Sequence, residues 1–273
     1  MKKYVYIDGL KVNYHKEGVG DPMILLHGWA SDIESWNGIK KNLMKRFTLY
    51  YFDLPGYGSN SSYIEYYTIE NYAKFLYEFI TKLKLSNFIL LGQSMGSAII
   101  VDFVLKYSDK VKIRKIILSS LVVRSPNLYS KIRIKILKKY QFTHYLVGFV
   151  HNLLIESQET RLYKDFIAKF IYLKDSIYNK KIILTSSNGL MRMSKEIYIG
   201  CLISILSFNS QDALKKIINK INYALIYGEK DKLTHYKRVS NLKNVYILKN
   251  GTHNTFKYYK KIFTEILENT DIG

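Results

Sequence analysis

Apolar and polar positions along the chain fall into a repeating order. Residues 4–14 alternate between the two kinds around Asp8-Gly9, the pattern of a hairpin with a tight turn. After that come short runs that are almost wholly apolar: 23–26, 47–52, 88–91, 115–118, 223–227 and 245–248. Strands covered on both faces read this way, whereas half-exposed strands alternate.

Between the runs the period changes. Residues 67–83 place Ile69, Tyr72, Ala73, Leu76, Phe79, Ile80 and Leu83 on one helical face, with Thr68 as the N-cap. Residues 97–107 are apolar nearly all round and predict a buried helix, and 256–267 predict an amphipathic one. Strands alternating with helices predict an α/β fold: a mostly parallel sheet with helices on both faces.

One stretch breaks the order. From 124 to 209 the pattern is helical (131–140, 143–154, 160–174), with no strand-turn-helix alternation. It predicts a helical cap inserted into a core made of residues 1–123 and 210–273. The run at 197–208, which contains Cys201, reads as a buried helix face.

Candidate chemistry gathers where the apolar runs end. The run at 88–91 leads into Gly92-Gln93-Ser94-Met95-Gly96 and then a helix. A strand that turns this sharply into a helix presents its serine at an exposed, strained position, and the small residues two before and two after relieve the crowding. The N–H of Met95 then lies at a helix N-terminus, where partial positive charge favours an oxyanion.

Of the six histidines, His253 follows a strand and a glycine and precedes the last helix, at the same sheet edge as Ser94. It is the expected base, with His235 second. The acid that orients it is expected at Asp231, directly after the run at 223–227, with Glu229 second. The end of the run at 115–118 offers only Ser119 and Ser120. A second oxyanion donor is expected at Trp29, after His27 and Gly28. His27, Gly28, Trp29 and Met95 are therefore expected to line the substrate site.

These residues resemble the α/β-hydrolase-fold serine hydrolases. The resembling pieces are His27-Gly28-Trp29, Asp53-Leu54-Pro55-Gly56-Tyr57-Gly58, Gly92-Gln93-Ser94-Met95-Gly96, Gly228-Glu229-Lys230-Asp231 and Gly251-Thr252-His253. The resemblance implies a serine carboxylic ester hydrolase acting by a Ser-His-Asp triad through an acyl-enzyme, with no metal or organic cofactor. Among the subfamilies, residues 26–58, with Trp29 and Trp36, resemble the pimeloyl-[acyl-carrier protein] methyl ester esterases. That family usually carries Trp where Gln93 stands and Gly where Ser97 stands. It implies docking of an acidic acyl-carrier protein on a basic cap, here Arg124, Lys131, Arg133, Lys135, Lys138 and Lys139. General small-acyl esterases, lipases and thioesterases are the alternatives. Outside enzymes, the alternative is a silent ligand-binding or partner-binding member of the fold.

Charge changes the picture little. The formal net charge is +20, but Lys, Ile, Asn and Tyr are all abundant while Pro is 3 and Trp 2, the bias an AT-rich coding sequence writes onto any surface. Neither a recognition motif nor a dense basic segment points to nucleic acid. No apolar stretch reaches the roughly 18 residues of a membrane span, and one cysteine requires no oxidising compartment, so a cytoplasmic protein is expected.

Overall fold

The computed structural model describes residues 2–60, 67–128, 131–132, 134–135, 195–231, 233–234 and 236–255. The predicted helix at 256–267 and most of the predicted cap lie outside them. Within the first cap helix, the described residues at 131–132 and 134–135 are helical.

The sheet has eight strands: β1 (Lys2–Ile7), β2 (Leu10–Glu17), β3 (Asp21–Leu26), β4 (Phe47–Tyr51), β5 (Phe88–Gln93), β6 (Ile113–Ser119), β7 (Tyr223–Gly228) and β8 (Val245–Leu248). They lie in the order β1-β2-β4-β3-β5-β6-β7-β8. The predicted hairpin is β1 and β2, turning through Asp8 and Gly9, both at positive φ. Pairing is antiparallel from β1 through β2 to β4 and parallel across the rest.

The apolar stretches of the central strands serve two cores at once. In β3, Ile24 and Leu26 join one buried cluster while Met23 and Leu25 join the other, because successive side chains point to opposite faces. The first cluster is covered by α2 (Ile69–Lys82), α3 (Met95–Tyr107) and α5 (Ser210–Ile217). The second is covered by a 3-10 helix (Ile33–Gly38) and α1 (Lys40–Leu43), whose Trp36, Ile39 and Leu43 pack beneath the sheet. Thr68 caps α2 as expected, its hydroxyl accepting from Asn71 N–H at 3.1 Å. The buried helix expected from residue 97 begins two residues earlier, because the turn out of β5 is itself the first helical turn.

Phe79 of α2 is fully buried and meets the rings of Tyr14 and Phe52 at 5.4 and 4.5 Å between centroids. Truncation there removes both partners and leaves a void. Phe79→Ala is therefore expected to cost about 3–5 kcal/mol, read as a lower urea midpoint at an unchanged slope.

The stretch between β6 and β7 leaves and returns through a narrow neck. Ser210 Oγ donates to Val122 O at 2.6 Å and accepts from Arg124 N–H at 2.9 Å. Gln211 N–H reaches Arg124 O at 3.1 Å, and Arg238 reaches Val123 O at 3.0 Å. Before the neck closes, α4 (Lys195–Ser207) lies against the core: Cys201 is buried, and Ser204 Oγ accepts from Ile69 N–H at 2.8 Å. Among the described residues no helix is long and apolar enough to cross a membrane.

Candidate active site

Four strand ends supply the site: β3, β5, β7 and β8. The turn out of β5 sets Ser94 at φ +52° and ψ −110°, a strained backbone for a residue with a side chain. Gly92 and Gly96 make the turn possible. A Cβ on Gly92 would lie 2.6 Å from the Gly96 carbonyl carbon, and a Cβ on Gly96 would collide with the backbone of Leu26 and His27. Ser94 N–H is held by Ser119 O at 2.8 Å. Met95 opens α3, so its N–H is one of those a helix start leaves without an intrahelical acceptor.

His253 comes from the loop after β8 and Asp231 from the loop after β7. His253 Nε2 is 3.0 Å from Ser94 Oγ, and Nδ1 is 2.8 Å from Asp231 Oδ2. The carboxylate can only accept, so Nδ1 carries the proton and Nε2 offers its lone pair to the serine hydroxyl. The Asp231 side chain is fully buried. Burial alone would raise its pKa, but the His253 ring and the Leu233 N–H, 2.9 Å away, outweigh that and hold it below the usual carboxylate value.

The alternative acid does other work. Glu229 accepts from Asn250 N–H at 2.9 Å, which ties the loop after β7 to the loop after β8. Lys230 N–H donates to Gly251 O at 2.8 Å and strengthens the same tie. The alternative base, His235, lies outside the described residues.

The loop after β3 approaches Ser94 directly. A Cβ on Gly28 would lie 3.4 Å from the Ser94 Cβ. His27 is fully buried, and both its ring nitrogens are committed to backbone. Nε2 accepts from Leu54 N–H at 2.9 Å, so Nδ1 holds the proton and donates to Gly28 O at 2.8 Å. Burial lowers its pKa, which keeps the ring in this neutral form. In a trans peptide the C=O and the next N–H point in opposite directions. With Gly28 O drawn toward His27, the N–H of Trp29 is turned the other way. This corrects the expectation that His27 lines the substrate site: its polar atoms face backbone, and it shapes the loop that carries Trp29.

Sequence reasoning missed the brace beneath that loop. Asp53, nearly fully buried, accepts from Ile33 N–H at 2.9 Å and from Ser59 N–H and Oγ at 2.8 and 3.0 Å. The rings of Tyr57 and His27 meet in an edge-type contact with centroids 5.0 Å apart, and Tyr57 donates to Cys201 Sγ at 3.3 Å, joining the loop to α4. Burial pushes the Cys201 thiol up to about 11, so it stays protonated at neutral pH. The signal was present in Asp53-Leu54-Pro55-Gly56-Tyr57-Gly58, but nothing in the sequence says what the carboxylate holds.

A family model described as the alpha/beta hydrolase fold matches residues 21–144. Over its full length the structure is similar to the bromoperoxidase from Bacillus anthracis, with a TM-score of 0.76 at 18% identity and 100% of both chains covered. It is also similar to an esterase from Exiguobacterium antarcticum, with a TM-score of 0.74 at 22% identity and 98% of both chains covered. The chain therefore has the α/β-hydrolase fold, and residues 21–144 are similar to the family of that description.

Closer sequence likeness is local. A pimeloyl-[acyl-carrier protein] methyl ester esterase of Citrobacter koseri is 29% identical over 129 residues, 47% of this chain and 48% of that protein. The esterase of that name from Vibrio vulnificus is 30% identical over 100 residues, 37% of each chain. The chain spans less than half the length of these curated relatives.

Proposed function

We propose that the protein is a serine carboxylic ester hydrolase that works through an acyl-enzyme, with Ser94 as nucleophile, His253 as base and Asp231 as the group that orients the base. The observation that carries the reading is the pair of contacts made by His253: 3.0 Å to Ser94 Oγ on one side and 2.8 Å to Asp231 on the other. Both distances lie within hydrogen-bonding reach for a nucleophile and its base.

In the first step Ser94 Oγ attacks the ester carbonyl carbon while its proton passes to His253 Nε2. The N–H groups of Trp29 and Met95 hold the resulting oxyanion. As the tetrahedral intermediate collapses, the imidazolium gives its proton to the departing alkoxide, and the alcohol leaves. Water then attacks the acyl-enzyme, with His253 again taking and returning a proton. Asp231 keeps Nδ1–H in place and balances the imidazolium charge throughout. Gly28 and Trp29 flank the acyl group, and no step calls for a metal or an organic cofactor.

Local likeness to the curated esterases favours the methyl ester of pimeloyl-acyl-carrier protein as the substrate, in the cytoplasm. Exposed Lys131 and Lys135, and half-buried Arg124 at the neck, supply positive charge that an acidic carrier protein would meet. The core-and-cap division at 124–209 belongs to the same reading.

The test is hydrolysis of p-nitrophenyl esters from acetate to dodecanoate, followed by the pimeloyl-carrier-protein methyl ester. Turnover that peaks at one acyl length would support the ester reading and size the pocket. If neither the simple esters nor the carrier-bound ester turned over, the enzyme assignment would give way to a binding role.

A further inference from the structure

The mechanism uses the ends of β3, β5, β7 and β8 and leaves the end of β6 without a part, although β6 lies between β5 and β7. That end is Ser119-Ser120, and both residues are fully buried. Their polar groups run to both halves of the site. Ser119 O accepts from Ser94 N–H at 2.8 Å and from Ser97 Oγ at 2.9 Å. Ser119 Oγ is 2.5 Å from Thr255 Oγ1. Ser120 N–H donates to Ile226 O at 2.8 Å, and its hydroxyl donates to the backbone carbonyl of His253 at 2.8 Å.

Resting on the reading of Ser94 and His253 as nucleophile and base, we propose that Ser120 is a positioning residue for His253. Asp231 orients the imidazole ring, while Ser120 fixes the backbone from which the ring hangs. Ser119 ties the same loop, through Thr255, to the carbonyl that holds Ser94 N–H. Together the two serines set the gap between Nε2 and Oγ from below. Ser120 adopts φ +51°, a left-handed backbone uncommon outside glycine. That strain allows a separation of roles. Glycine at 120 fits the backbone better than serine and lacks the hydroxyl; alanine lacks the hydroxyl and keeps the strain.

The experiment compares the full chain with Ser120→Ala and Ser120→Gly. The rate at which a fluorophosphonate labels Ser94 is followed by intact mass, beside ester kinetics and thermal melting. The low-field proton signal of the His253–Asp231 hydrogen bond is read by NMR. A displacement of about 1 Å at a reacting group costs on the order of 10²-fold in rate. Both variants are therefore expected to label about 10- to 10²-fold more slowly, to lose kcat with KM nearly unchanged, and to show a shifted or broadened low-field signal. Ser120→Gly should melt above Ser120→Ala and be equally slow. Recovery of the labelling rate in Ser120→Gly would overturn the proposal, since it would mean that only the fold had suffered. A wild-type chain that the probe never labelled would instead defeat the nucleophile reading. In that case the NMR signal decides: unchanged in both variants it rejects the positioning role, altered in both it sustains it.

Discussion

Ser94→Ala is expected to lower kcat by about 10⁶-fold, because loss of a nucleophile from a concerted triad costs nearly as much as loss of the whole triad. Substrate binding should survive, since the loop around Trp29 and the core beneath it are untouched. The companion variant Ser94→Gly separates chemistry from strain. Wild-type Ser94 sits at φ +52° with ψ −110°, and such backbones cost about 1–3 kcal/mol for residues with a side chain. Glycine removes that cost, offset in part by the greater freedom it gives the unfolded chain. Ser94→Gly should thus be as inactive as Ser94→Ala and more stable by about 1 kcal/mol, a rise of roughly 2–4 °C in Tm. Equal melting temperatures would mean that the turn stores no strain. Retained turnover in either variant would remove Ser94 from the mechanism.

The second large effect is expected at Asp231. Asp231→Asn keeps the shape of the side chain but allows the amide to donate to Nδ1, which favours the wrong tautomer of His253. A loss of about 10⁴-fold in kcat near neutral pH is expected. The same carboxylate links activity to acid stability. Its pKa in the folded protein lies below the ordinary value, so the folded state binds its proton less readily than the unfolded chain. The stability it contributes is complete above the unfolded value, about pH 4, and is lost as pH falls through the lower folded value. The lead of the wild type over Asp231→Asn in urea melts should hold from pH 7 to about pH 5 and shrink below about pH 4. A lead that stayed constant to pH 2 would show that the carboxylate gains nothing from its partners on folding.

How far sequence alone reaches here depends on what kind of group does the work. Strand positions were legible because burial on both faces leaves no room for polar alternation, as in Met23-Ile24-Leu25-Leu26. Ser94, His253 and Asp231 could be singled out because each follows a strand end, and a parallel sheet brings such ends to one edge. β2 was foreseen only to residue 14, although it runs on to Glu17; the polar residues His15, Lys16 and Glu17 pair with β4 through backbone groups. His27 was assigned to the pocket because its neighbours are there, yet its nitrogens are held by Leu54 N–H and Gly28 O. Ser119 and Ser120 drew attention only as poor candidates for an acid. Ser120 bonds to main-chain carbonyls of Ile226 and His253, far away in the chain, and such bonds leave no mark on the identity of the partner.

The neck at Ser210 carries an evolutionary consequence. A segment whose two ends are clasped together meets the sheet as a closed loop, whatever lies between. Closing a loop grows harder only with the logarithm of its length, so doubling it adds about 0.6 kcal/mol. Lineages are then free to lengthen, shorten or rewrite much of the sequence between 125 and 194, while Val122, Arg124 and Ser210 keep the doorway in place and α4 keeps its ties to the core. On the proposed reading, changes in that segment would alter substrate preference and leave the geometry at the strand ends in place.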